Sequence, residues 1–133
     1  ADVVLDGTDN MHTRYVINDA CVKHRRPWVY GGVVGTSGLT LTVQPGSGPC
    51  LRCLFPTPAE EGALPSPETH GVLGTVPALI ACLQATAAVA LLCGHPVDRD
   101  LLSIDLWSRR VQRVTIARDP ACPACGGRVF EYL

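Results

Sequence analysis

At 133 residues the chain has the length of one domain, enough for a single modest core. Apolar residues make up 47%, charged residues 17%, and the formal net charge is −1, so no polyanion-binding face and no nucleic-acid partner is expected. No signal peptide opens the chain, and seven cysteines without secretory context point to a reducing, cytoplasmic setting and to metal binding over disulfides.

In chain order, Val3, Val4 and Leu5 form an unbroken apolar run, the pattern of a strand covered on both faces in a parallel sheet. The polar "GTDN" is a turn and a helix start, and Ile17, Ala20, Cys21 and His24 recur at helical spacing from Asn10 to about Arg25, where Pro27 stops the helix. "WVYGGVV" is the next strand, which completes a βαβ unit with parallel pairing. Gly31, Gly32, Gly35 and Gly38 precede "LTLTV", which alternates like a half-exposed strand. No helix follows these glycines, so a hairpin or bulge is expected and not a phosphate cradle.

A Pro/Gly-rich crossover loop fills 45–70. Loops of that length inside a compact domain are usually functional, disordered or pinned. From Val72 to Gly94 no residue is charged. Gln84 and Thr86 interrupt this stretch and no aromatic or basic anchors flank it, so a helix over Val76–Cys93 buried on all sides of the fold is expected, not a membrane span. Strands near Leu101–Leu106 and Val111–Ala117 and the tail "DPACPACGG" close the chain. The fold class is therefore α/β, a Rossmann-like, partly parallel sheet continuing into antiparallel strands.

"GPCLRCLFP" and "DPACPACGG" each carry a C-x-x-C turn. One such turn points two thiolates into one hemisphere, and two turns complete a closed four-sulfur shell for structural zinc, with iron or a redox pair as the alternatives. Cys50, Cys53, Cys122 and Cys125 are the ligands, and the metal would staple the central loop to the tail. Neither pair is expected to open a helix after a strand, which counts against a thioredoxin-like redox role. Cys21, Cys82 and Cys93 fall on apolar helices, where cysteine acts as a small hydrophobe.

Asp9 and Asn10 sit where a parallel strand hands over to a helix, the edge at which α/β sheets gather ligands. Asp9 there can hold a magnesium ion that bridges nucleotide phosphates, with Asn10 beside the nucleotide; equally, the two residues can simply cap the helix. Arg14, one turn on, could reach a phosphate, though such a residue is more often solvated helix surface. His12, His24, His70 and His95 show no ligand spacing.

Together "DVVLDGTDNMHTRYVINDACV", "GPCLRCLFP", "GVLGTVPALIACLQATAAVALLCG" and "DPACPACGG" resemble, in order, the MoeB/ThiF/HesA family of adenylyltransferases related to ubiquitin-activating enzymes. The resemblance implies use of ATP and magnesium to adenylate the C-terminal glycine of a ubiquitin-like sulfur-carrier protein, for molybdopterin or thiamine synthesis, by a homodimer. It implies that Asp9 is the catalytic, magnesium-associated aspartate, that Asn10 contacts the nucleotide, and that the four cysteines hold structural zinc.

Two departures stand out. No G-x-G-x-x-G opens a helix, and the family's phosphate-holding basic residues would lie upstream of Ala1. Residues 1–133 are thus expected to be the C-terminal half of a longer enzyme, inactive alone. Many relatives also carry a cysteine in a short stretch before "GVLG"; here "SPETHG" puts Pro67 at that place, which points to an adenylation-only member. The competing reading is a non-catalytic, zinc-stabilised module that binds a carrier protein or dimerises.

Overall fold

The structure is a computed structural model that describes residues 1–59 and 70–133. Among these residues five strands form one mixed sheet in the order β1-β2-β3-β4-β5: Val4–Leu5, Trp28–Val34, Ser37–Val43, Leu101–Asp105 and Arg110–Val114. Among the described residues only the strands β1 and β2 run parallel, joined through helix α1 (Met11–Lys23); the other neighbouring strand pairs are antiparallel. The βαβ unit and its antiparallel continuation are as the sequence implies.

Strand β1 is shorter and more open than its unbroken apolar run implies. It pairs with β2 alone at the sheet edge, and Leu5 is 46% exposed. Helix α1 begins at Asn10, whose side chain accepts a hydrogen bond from the Thr13 amide, and ends at His24. Arg25 turns left-handed (φ 53°), with Arg26 N bonded to Cys21 O and Arg25 N to Val22 O. That pattern is a Schellman stop with arginine where glycine is usual, so the helix ends before Pro27 has to end it.

The expected hairpin is present. Val34 pairs with Ser37 around Gly35-Thr36, with Gly35 at φ 58°, but Gly31 and Gly32 lie inside β2 and Gly38 inside β3. Strand β3 is buried along most of its length, not half-exposed. Leu41 and Val43 face a core with Trp28, Tyr30, Cys21 and Val22, while Thr40 and Thr42 face the opposite side. That opposite side is covered by helix α3 (Thr75–Leu92).

Helix α3 ends by a second Schellman motif, with Gly94 at φ 72°, Gly94 N bonded to Leu91 O and His95 N to Ala90 O. By length and composition it is long and apolar enough to cross a membrane, with mean hydropathy 1.9. The expected all-round burial does not occur. Only Val76, Ile80, Gln84 and Ala88 are buried, one stripe at four-residue spacing, while Val89 and Leu92 are about 60% exposed. The sheet can cover only the face that rests on it. Glycines make that rest close: a Cβ at Gly38 would meet the Ile80 side chain, and one at Gly31 would meet Gln84.

The first cysteine pair also departs from expectation. Cys50 is the N-cap of a one-turn helix, α2 (Leu51–Leu54), so this C-x-x-C does open a helix. The rest of the crossover loop, with Pro67 and the "SPET" stretch, falls within 60–69 and so lies outside the described residues.

Candidate metal centre and strand-edge carboxylate

The two C-x-x-C turns converge. Their four sulfurs all lie within 4.8 Å of one another, with Cys50–Cys122 at 3.6 Å and Cys53–Cys125 at 3.5 Å. A tetrahedral zinc with Zn–S bonds of about 2.3 Å sets its sulfurs ~3.8 Å apart, so the cluster is the right size and wholly thiolate in donor type. Cys50, Cys122 and Cys125 are buried and Cys53 is half-buried. All seven cysteines are free thiols, so no disulfide competes for these sulfurs.

The backbone of the second turn is shaped for this. Gly126 N and Gly127 N both donate to Cys122 O, and a Cβ on Gly126 would collide with the Pro120 carbonyl oxygen. The pKa of the Cys53 thiol is lowered to about 5, chiefly by its hydrogen bond with Cys50. The same bond, together with burial, pushes Cys50 up. Arg118 Nη2 donates to Cys125 O at 2.8 Å and sets a cation beside a group that gains negative charge when its thiols ionise. Four sulfurs leave no open coordination position, so a metal here holds the fold and does no chemistry.

The tail closes over this lobe. Arg52, between the first two cysteines and 4% exposed, bonds Glu131 at 2.8 Å and lies over the Tyr132 ring. Tyr132 stacks on Tyr15 at 4.8 Å, and its amide donates to buried Asp19.

At the end of β1, by contrast, Asp9 is exposed. Among the described residues its Oδ1 accepts only the neighbouring Asn10 Nδ2, at 3.2 Å, while Asn10 Oδ1 caps α1 through Thr13 N at 2.8 Å. The capping role thus belongs to Asn10, and the Asp9 carboxylate is left facing solvent. Arg14 is neither solvated nor extended outward. It is 8% exposed, with Nε on Asp6 Oδ2 at 2.9 Å and Nη2 on the carbonyls of Thr8 and Gly31. Those donors are committed inside the fold, so Arg14 is not the solvated helix-surface residue of the alternative reading. The four histidines are exposed, and none joins a metal-ligand cluster among the described residues.

A family model described as the ThiF family matches residues 1–124. The chain belongs to the ThiF family. It is 41% identical over 128 residues to the SAMP-activating enzyme E1 of Haloferax volcanii, covering 95% of this chain and 47% of that protein. It is 40% identical over 135 residues to the sulfur carrier protein ThiS adenylyltransferase of Bacillus subtilis, covering 100% of this chain and 40% of that protein. The chain thus spans about half, or less, of the curated relatives it matches. Among solved structures, E. coli MccB superposes with a TM-score of 0.77 at 18% identity, over 98% of this chain and 41% of that one, a likeness of fold.

In this ThiF-family chain Asp6 and Gln84 carry buried polar roles that the sequence pattern does not assign: Gln84 reads there only as a break in the uncharged stretch. Asp6 is 4% exposed and accepts from Thr8 N, Thr8 Oγ1, Arg14 Nε and Gly31 N. Gln84 is 6% exposed, and its Nε2 donates to the Asp6 and Val29 carbonyls, both at 2.9 Å. The available signal was a long-chain amide in an otherwise uncharged helix, because a buried amide has to find partners.

Proposed function

We propose that this chain supplies the zinc-stapled, carboxylate-bearing half of an ATP-dependent adenylyltransferase that activates the C-terminal glycine of a ubiquitin-like sulfur-carrier protein, in molybdopterin or thiamine synthesis. The partner class rests on the family and on relatives named for carrier activation. Zinc held by Cys50, Cys53, Cys122 and Cys125 is structural. A homodimer in the cytoplasm belongs to the same reading.

The observation that carries it is the Asp9 carboxylate, exposed and without an ionic partner among the described residues, at the carboxyl end of a parallel strand. In the reaction the carrier's terminal carboxylate oxygen bonds to the α-phosphorus of ATP, the bond to the bridging oxygen breaks, and pyrophosphate leaves with its electron pair. Such a displacement needs charge neutralised and groups aligned more than it needs a protein nucleophile. Asp9 would hold magnesium, which supplies that neutralisation when bound; Asn10 orients the turn. Residues that hold the nucleotide phosphates are to come from outside this chain, so the chain alone is inactive.

ATP–pyrophosphate exchange with a carrier protein tests this. The complete adenylating protein turns over, the isolated chain does not, and Asp9→Asn in the complete protein lowers the rate by ~10²-fold or more. Turnover by the isolated chain, or full activity of Asp9→Asn, refutes the assignment.

A further inference from the structure

We propose that the buried Asp6–Arg14 pair, braced by Gln84, is the positioning device that fixes the turn presenting Asp9. This rests on the adenylation reading for its catalytic consequence, but not for its geometry. Thr8 is gripped at three atoms. Its amide and Oγ1 donate to Asp6 Oδ1 at 2.9 and 2.7 Å, and its carbonyl accepts from Arg14 Nη2 at 2.6 Å. On the other side of Asp9, Asn10 is held by its capping bond to Thr13 N. Asp9 is therefore an unclamped side chain between two clamped neighbours: its backbone is set and its carboxylate stays available.

The pair is itself anchored to both strands of the parallel edge. Asp6 Oδ2 accepts from Gly31 N and Arg14 Nη2 donates to Gly31 O, so the turn is indexed to the middle of β2. From the opposite layer, Gln84 joins the Asp6 and Val29 carbonyls, which locks the end of β1 against β2 beneath α3. Gly31 is where these meet, and a Cβ there would strike the Gln84 amide. The ion pair is deeply buried, its side chains 9% and 0% exposed. A buried ion pair is a poor source of net stability, because desolvation offsets most of the attraction. Its bonds fall on Thr8 and Gly31, where they fix geometry, and a misplacement of about 1 Å at a reacting centre costs ~10²-fold in rate.

Arg14 and Asp6 are thus positioning residues that act through Thr8. The test uses Arg14→Gln, Asp6→Asn and the conservative Arg14→Lys. In the complete adenylating protein, Arg14→Gln and Asp6→Asn are expected to lower kcat of pyrophosphate exchange about 100-fold with KM for ATP within about 3-fold, and Arg14→Lys to recover part of the loss. In the chain by itself, NMR hydrogen exchange reads the turn directly. The Thr8 and Thr13 amides of Arg14→Gln should exchange at least about tenfold faster, while the β2–β3 amides and the metal content stay as in the parent, which controls for misfolding. Unchanged Thr8 and Thr13 exchange, or a loss of kcat that merely follows the folded fraction, overturns the positioning role. An inactive parent protein overturns the adenylation reading instead, and the exchange measurement still decides this one.

Discussion

Stripping the metal from the chain tests the four-sulfur shell most directly, and the size of its effect follows from where the sulfurs lie in sequence and space. The paired cysteines are 72 positions apart, yet the fold brings Cys50 to Cys122 and Cys53 to Cys125 within 3.6 Å. An unfolded chain can offer the ion only one C-x-x-C pair at a time unless it closes a loop of that length. Chain-entropy arithmetic puts that closure at about 4.4 kcal/mol. The folded state has already met this cost, so its preference for zinc over that of the unfolded chain is at least about that large, and saturating metal adds that much to stability. For a domain of this size ~1 kcal/mol moves the melting temperature by about 3–5 °C. The expected fall after chelation is therefore roughly 13–22 °C, read by thermal circular dichroism and restored by one equivalent of zinc. Mass spectrometry should find one zinc per chain and none after all four cysteines become serine. A metal-free preparation that melts within about 3 °C of the zinc-loaded one would refute the reasoning.

Thiol labelling should sort the seven cysteines by their surroundings. A maleimide probe is expected to modify exposed Cys82 and Cys93 quickly in the native, metal-loaded chain. It should spare Cys21, which is buried with its pKa raised to about 11 by desolvation, and reach the four metal-site sulfurs only after chelation. Rapid labelling of Cys21, seen by peptide mapping, would count against the packing of α1. Ile80→Ala should cost about 2–4 kcal/mol in urea unfolding, because Ile80 is 3% exposed above Gly38, whereas Leu92→Ala, at 61% exposure, should stay within about 0.5 kcal/mol. Equal losses at both positions would mean that the outer face of α3 is covered in solution. Gly126→Ala drives a methyl into the Pro120 carbonyl and should weaken zinc affinity at least tenfold in a chelator competition; unchanged affinity would show that the second turn can relax around the clash.

Much of the fold and of the site was legible because short-range rules decide it. The run Val3–Leu5, the "GTDN" turn and "WVYGGVV" specify a parallel βαβ start, since an apolar run and a capped helix have local signatures, although the burial that the first run implies is not found. The two C-x-x-C turns specify a four-sulfur site for a similar reason: two-residue spacing sets where paired thiols can point, and the number of thiols does the rest. Burial was legible only where a neighbouring element could be foreseen. Helix α3 reads as apolar on every side, and the thr-bearing face of β3 reads as open, yet the first has one covered stripe and the second lies beneath that helix.

What the sequence by itself determined is the identity and spacing of the chemistry: four thiols in two turns, and a carboxylate between a strand and a helix. What only the tertiary structure decided is which polar groups face inward. Arg14 reads as phosphate ligand or as surface, and it turns into the fold because Asp6, eight positions earlier, and the Gly31 carbonyl are brought to it by the pairing of β1 with β2. Gln84 finds its carbonyl partners 78 and 55 positions away. A side chain's spacing along the chain constrains its neighbours within one element, whereas the partner of a buried charge or amide is chosen by how separate elements stack.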